Sequence, residues 1–234
     1  MSENHSQVLT AMTASPAARS AQPATFAGPT IDIGAFRSTP LIPEPFDHLI
    51  VPGFIRTEAR EAINRDWPAI DKPGSFPLHG LRSGPAFDAL IRDLEGPELA
   101  AAFSEKFGMD LTRHPTMITV RGMARARDGQ IHLDSRTKLI TVLIYMNAGW
   151  EHPGGRLRLL RSGDNLDDMV AEVPPHEGTL LAFRNTPNAW HGHAPVEGPR
   201  RAIQLNWVTD AGVVWREQTR HRLSATLKRL NPFA

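Results

Sequence analysis

The chain has 234 residues, enough for one sizeable domain, and nothing in its middle reads as a linker. Its 26 Lys and Arg nearly balance 25 Asp and Glu, so the one-sided charge of a dedicated nucleic-acid binder is missing. With no cysteine, disulfide frameworks, zinc–thiolate sites and thiol nucleophiles are excluded together.

Residues 1–28 are rich in Ala, Ser, Thr and Pro and contain no basic segment followed by an apolar core, so they read as a disordered tail rather than a secretory signal. No run approaches membrane-spanning length, and a cytoplasmic, soluble protein is expected, with residues 29–234 forming a single domain. From Phe46 to Ile55 the chain predicts a short strand, a turn at Pro52-Gly53 and a helix entry. Thr57 is the expected N-cap of a helix from Glu58 to Asn64, because its hydroxyl can satisfy a first-turn amide. Pro68 to Pro85 is rich in Pro and Gly and reads as loop. Apolar residues at Phe87, Leu90, Ile91 and Leu94, then Leu99 and Phe103, predict helix from Phe87 to Phe107, with Gly96-Pro97 dividing it in two.

From Thr116 the hydrophobic period changes to two. Strands are predicted at Thr116 to Gly122, Lys138 to Tyr145, Arg156 to Leu160, Val170 to Val173, Thr179 to Phe183 and Arg201 to Val208. With short pieces around His132 and His191 the count reaches about eight, the number used by jelly rolls and cupin-like barrels. The expected class is therefore α+β: supporting helices first, a barrel core over about residues 116–209, and a C-terminal helix beginning near Val213. That helix carries Arg216, Arg220, Arg222, Lys228 and Arg229, which read as a solvated face.

Chemistry concentrates in His132-Leu133-Asp134 and His191. Two imidazoles and one carboxylate make the facial triad that holds Fe(II) on one side and leaves the opposite positions open. On an extended segment residues i and i+2 point the same way, so His132 and Asp134 can share a metal. By the same rule His193 competes with His191 for the third ligand. Tyr145 is the only tyrosine and shares a strand face with Leu139, Thr141 and Leu143. Arg201 heads a face completed by Ile203, Leu205 and Trp207, and an arginine on an apolar face requires an anionic partner.

These pieces, together with Tyr145-Met146-Asn147, Trp150, Gly154-Gly155 and Pro195, resemble in type and order the catalytic core of the 2-oxoglutarate- and Fe(II)-dependent oxygenases, in the prolyl-4-hydroxylase-like branch. The resemblance implies a double-stranded β-helix. It further implies that His132, Asp134 and His191 bind Fe(II), that Arg201 pairs bidentately with the distal carboxylate of 2-oxoglutarate, and that the Tyr145 hydroxyl supports the same carboxylate. Dioxygen is the further co-substrate and ascorbate a possible stimulant. The implied reaction is hydroxylation of a peptide, amino acid or other small molecule, coupled to release of succinate and carbon dioxide. The retained Asp134 favours hydroxylation over halogenation.

Arg200 is the alternative anchor, since only one of two adjacent strand residues faces into a barrel; the spacing to Trp207 selects Arg201. The strand Val120 to Arg125 lacks the tyrosine that many relatives carry there, which separates this chain from an inference of prolyl substrates. Arg121, Arg125 and Arg127 lie toward the expected entrance, and the loops Lys72 to Pro85 and Arg121 to Gln130 are expected to shape specificity. The competing readings are a metal-dependent cupin-type enzyme and a metal- or ligand-sensing barrel, neither of which uses a keto acid. No nucleic-acid or membrane partner is expected.

Overall fold

The computed structural model describes residues 26–214. The expected tail therefore lies outside the described residues except for its last three, and so does the basic cluster of the expected C-terminal helix. Four helices precede the main run of strands: α1 (Ile33–Ser38), α2 (Thr57–Arg65), α3 (Pro85–Leu94) and α4 (Pro97–Phe107). The division between α3 and α4 falls at Gly96-Pro97 as expected. Pro97 begins α4 at a position where its missing N–H costs nothing, and Gly108 ends it in the left-handed conformation. Thr57 is not the N-cap of α2. The helix starts one residue earlier than expected, Arg56 takes the cap position without a side-chain hydrogen bond, and its carbonyl accepts from Ala59 N at 3.0 Å.

Two antiparallel sheets follow. The larger takes β1 (His48–Val51), β7 (Leu180–Arg184), β4 (Lys138–Tyr145), β9 (Gly198–Val208), β3 (Thr116–Ala124) and β2 (Phe76–Pro77) in that order, and the smaller takes β6 (Met169–Val173), β5 (Leu157–Leu160) and β8 (His191–Gly192). Strand β2, two residues long and ending in proline, sits inside the stretch expected to be loop; it pairs Phe76 with Val120.

Period-two alternation sorts the larger sheet into two faces. Ile140, Val142 and Ile144 of β4 and Ile203, Leu205 and Trp207 of β9 pack with Phe87, Leu90 and Phe103 of the helices. Trp207 is central to this layer, its ring centroid 4.6 Å from that of Phe103. A second, smaller apolar cluster lies between the sheets, where Tyr145 and Ala202 of the larger sheet meet Leu157, Leu159 and Val173 of the smaller one. The sheets thus enclose an interior whose larger-sheet wall is made by Thr141, Leu143 and Tyr145 of β4 and by the even-numbered residues of β9. Leu139 leaves this face and packs with the helix layer, because the register of β4 against β9 shifts between Lys138 and Ile140.

Candidate metal centre

His132 and His191 are held side by side by a two-way backbone bridge: His132 N donates to His191 O at 3.0 Å, and His191 N to His132 O at 3.2 Å. Their ring centroids lie 4.3 Å apart. Each Nδ1 is set against a carbonyl two residues earlier, Gln130 O at 2.8 Å and Ala189 O at 2.9 Å. Those contacts place the ring proton on Nδ1 and leave Nε2 as a lone-pair donor, the tautomer a metal-ligating histidine adopts. Asp134 completes the group, and one ligand atom from each of the three residues lies within 4.8 Å of the others.

The electrostatics suit a cation. Burial holds the His191 imidazole down at about 4, with His132 adding to the effect, so it is a neutral ligand at pH 7. Burial works against ionisation of Asp134, but Lys138 and His191, with hydrogen bonds from Lys138 and Thr141, outweigh it and keep the carboxyl below its usual range. Lys138 Nζ and Thr141 Oγ1 each reach an Asp134 oxygen at 2.6 Å. Two imidazoles that turn Nε2 outward and an oriented carboxylate therefore fit a divalent metal such as Fe(II).

Deeper in the barrel, Tyr145 is fully buried and its hydroxyl has no hydrogen-bond partner. Such an orphan is rare enough to require an explanation, and an unfilled ligand site is one. The guanidinium of Arg200 lies over the Tyr145 ring, 5.2 Å from its centroid, and Arg200 Nε donates to Gly155 O at 3.0 Å. Burial raises the Tyr145 hydroxyl above its usual range against the opposing effect of Arg200, so it stays a proton donor at neutral pH. The Gly154-Gly155 pair permits a close approach to the segment Ala194 to Val196 and to Trp150. Gly155 has φ of 76°, in the left-handed region, and a Cβ on Gly154 would lie 2.0 Å from Pro195 O. His132, His191, His193, Arg121 and Arg200 line one narrow cavity.

Arg201 is not part of that cavity. It lies on the other face of β9, where one terminal nitrogen donates to Asn64 O at 3.0 Å and Asn64 Oδ1 at 3.1 Å and the guanidinium lies 5.8 Å from the Trp67 ring centroid. Its backbone is clasped by Asn147, which accepts from Arg201 N at 2.7 Å and donates to Arg201 O at 3.0 Å. The structure thus brings His132, Asp134, His191 and Tyr145 together and sets Arg201 apart, with Arg200 in the place expected for it. The sequence reading equated an apolar strand face with the barrel interior. In β9 the apolar face of Ile203, Leu205 and Trp207 is the one covered by helices, and the interior face is Arg200, Ala202, Gln204 and Asn206.

Beyond the metal group a wider cavity of about 360 Å³ opens between β3, β9 and the segment following Asp134. Lys138, Thr141, His193, Gln204 and Asn206 complete the surroundings of the two spaces; the sequence reading weighed His193 only as an alternative third ligand and assigned the others no role. Thr141 carried a signal, since it shares the Tyr145 face of β4 and lies seven residues from Asp134. His193 lines the narrow cavity with Arg200, its imidazole also held down at about 4, by burial first and by Arg200 and Arg121 next.

Residues 121–209 match the model of a family described as the 2OG-Fe(II) oxygenase superfamily. No curated protein matches. Among solved structures the chain is similar to a prolyl-4-hydroxylase from Pseudomonas putida, at 18% identity and a TM-score of 0.51, over 69% of this chain and 85% of that one. It is also similar to an oxidoreductase of the 2OG-Fe(II) oxygenase family from Burkholderia pseudomallei, at 13% identity and a TM-score of 0.49, over 69% and 84% of the two chains. The Pseudomonas likeness identifies the paired sheets as a double-stranded β-helix of the kind expected from the sequence.

Proposed function

We propose that this chain, whose residues 121–209 belong to the 2OG-Fe(II) oxygenase superfamily, holds Fe(II) with His132, Asp134 and His191 and the distal carboxylate of 2-oxoglutarate with Arg200 and Tyr145. The bound metal supplies the activation of dioxygen that couples decarboxylation of the keto acid, to succinate and carbon dioxide, with hydroxylation of a second substrate. That substrate is a small molecule, an amino acid or a peptide side chain. The observation that carries the assignment is the Arg200 guanidinium, which lines a narrow cavity together with both histidines and lies over the ring of Tyr145, whose buried hydroxyl has no hydrogen-bond partner.

Each residue has a task that follows from its surroundings. Gly155 O fixes Arg200 Nε, and a planar guanidinium so held can present its terminal nitrogens to a carboxylate as two parallel donors. Tyr145, protonated and unpartnered, supplies a third donor. Lys138 and Thr141 hold the Asp134 carboxylate in one orientation and keep it ionised. Carbonyl partners on Nδ1 fix the histidine tautomers. A metal barrel without a keto acid would have no use for a buried arginine and tyrosine at this depth.

The reading places the enzyme in the cytoplasm, where Fe(II) and 2-oxoglutarate are supplied; no described helix is long and apolar enough to cross a membrane. The test is succinate release by purified protein supplied with Fe(II), ascorbate and 2-oxoglutarate, screened over amino acids and peptides for stimulation. Anaerobic titration of 2-oxoglutarate into the metal-loaded protein accompanies it. Failure of 2-oxoglutarate to bind would remove the assignment.

A further inference from the structure

Arg121 lines both the narrow cavity and the 360 Å³ cavity beyond the metal group. It stands on β3 opposite Ala202, so its Cα shares a level of the barrel with Tyr145 across β9, and its side chain reaches the boundary between the two spaces, where His132 and Gln204 also lie. No hydrogen bond or ion pair engages its guanidinium among the described residues. The nearest carboxylate, Asp128, is already committed to Arg125, whose Nη2 and backbone N reach its two oxygens at 3.2 and 3.1 Å. Burial costs its charge most; Asp128 and Tyr145 act in its favour without touching it, and Arg200 and Arg125 act against it, so that its charge is disfavoured on balance. A half-buried guanidinium that no carboxylate contacts directly is unfavourable unless an anion completes the site.

The keto acid cannot be that anion if the proposed function holds, and the inference rests on that reading. 2-Oxoglutarate carries two carboxylates; one is assigned to Arg200 and Tyr145 and the other is directed to the metal. Lys138 is set against Asp134. Arg121 is then the one cation lining these cavities, among the described residues, that has no assigned partner. The wider cavity is predominantly polar, offering the hydroxyls of Ser75, Thr119, Ser135 and Thr137 and the amides of Gln204 and Asn206, with Met117, Val208 and Val213 as its apolar part. Such walls suit a compact molecule dense in hydrogen-bonding groups and suit an apolar ring or acyl chain poorly.

We propose that the primary substrate is a small polar carboxylic acid, such as a free amino acid or hydroxy acid, whose carboxylate is paired with Arg121 while the carbon to be hydroxylated is turned toward the metal group. Arg121 is thus a substrate-binding residue, and the two arginines divide the anions between them: Arg200 the co-substrate, Arg121 the substrate.

The test uses the full chain loaded with Zn(II) and 2-oxoglutarate, which cannot turn over. The probes are the free L-amino acids, lactate, malate and citrate, with the primary amides of the amino acids and of lactate, and binding is read by saturation-transfer NMR. The expected result is that one or more acids bind, that the matching amide binds at least about tenfold more weakly, and that Arg121→Gln reduces the acid's affinity by a similar factor while Arg121→Lys retains part of it. In the same variants the Kd for 2-oxoglutarate should stay within about threefold of wild type. Amides that bind as well as acids, or a panel in which no acid binds below about 10 mM, would overturn the proposal. A loss of 2-oxoglutarate affinity in Arg121→Gln matching that in Arg200→Ala would overturn it too, by giving Arg121 to the co-substrate. Failure of the underlying reading has a different signature: 2-oxoglutarate would then be indifferent to Arg200→Ala as well.

Discussion

The two faces of strand β9 are built for opposite purposes. On one, Ile203, Leu205 and Trp207 are buried beneath the helices in the main apolar core; on the other, Arg200, Gln204 and Asn206 look into the space between the sheets. Adjacent arginines fall on different sides of this divide. Arg201 is a clamp, tying the strand to Asn64 at the end of α2 and covering Trp67. Arg200 faces a cavity, anchored through Nε to Gly155 O, and lies over the ring of Tyr145, whose hydroxyl has no hydrogen-bond partner. The first face contributes stability and the second gives some of it up, because buried polar groups without partners are unfavourable until a ligand arrives.

The largest expected effect of that contrast is a dependence of stability on acid. His191 and His193 both titrate near 4 in the fold, against about 6.5 for an unfolded histidine, because burial disfavours their charged forms. The unfolded chain therefore binds more protons between these values, and stability rises with pH across the window. It is fully present above about pH 6.5 and is lost as pH falls through about 4, by up to roughly 3 kcal/mol for each imidazole. Denaturant melts of metal-free protein at pH 7, 5.5 and 4.5 measure this. A flat profile would mean that the barrel interior is wetter than its geometry implies.

Next in size is the metal. Asp134→Ala removes one of three ligands and leaves Lys138 without its partner, so affinity for Fe(II) or Co(II) should fall by more than about 100-fold in an anaerobic titration. The neighbouring arginines then test the comparison itself. Arg200→Ala should raise the Kd for 2-oxoglutarate by about 100-fold, the loss of two charge-assisted hydrogen bonds, while Arg201→Ala should change it by less than about threefold. Arg201→Ala should instead lower the melting temperature, because Asn64 and Trp67 lose their cover. The reverse result would place the interior of the barrel on the other side of β9.

Much of this was legible from the residues. The strand Lys138–Tyr145 was read to its ends, and the break at Gly96-Pro97 was read from proline chemistry. The pairing of His132 with Asp134 followed from ligand type and period-two spacing, and the choice of His191 from the resemblance to the oxygenase core. What failed was a question of side. An alternating strand has two faces, and the sequence says which residues share a face but not whether that face meets helices or ligand. Hydrophobicity pointed to the helix face, whereas the interior face of β9, with Arg200, Gln204 and Asn206, is the more polar one. β2 was missed because two residues ending in proline carry no periodic signal, and the Thr57 cap because the backbone carbonyl of Arg56 already occupies the first-turn amide.

Tyr145→Phe separates binding from stability most sharply, although its effect is the smallest of the four. The hydroxyl is buried without a partner, so the metal-free, keto-acid-free protein bears its desolvation without a compensating hydrogen bond. Removing that oxygen leaves the ring packed among Leu157, Leu181 and Phe183 and beneath Arg200. Ligand-free Tyr145→Phe should therefore be more stable than wild type, by about 1 kcal/mol, even as its Kd for 2-oxoglutarate rises by about tenfold. A structural tyrosine would behave otherwise, since losing a satisfied hydroxyl lowers stability and leaves ligand affinity alone. Thermal melts with and without 2-oxoglutarate read both quantities from one sample. The expected signature is a crossover, the variant melting higher when empty and gaining less when the keto acid is added; two parallel curves would show that the hydroxyl has no part in holding it.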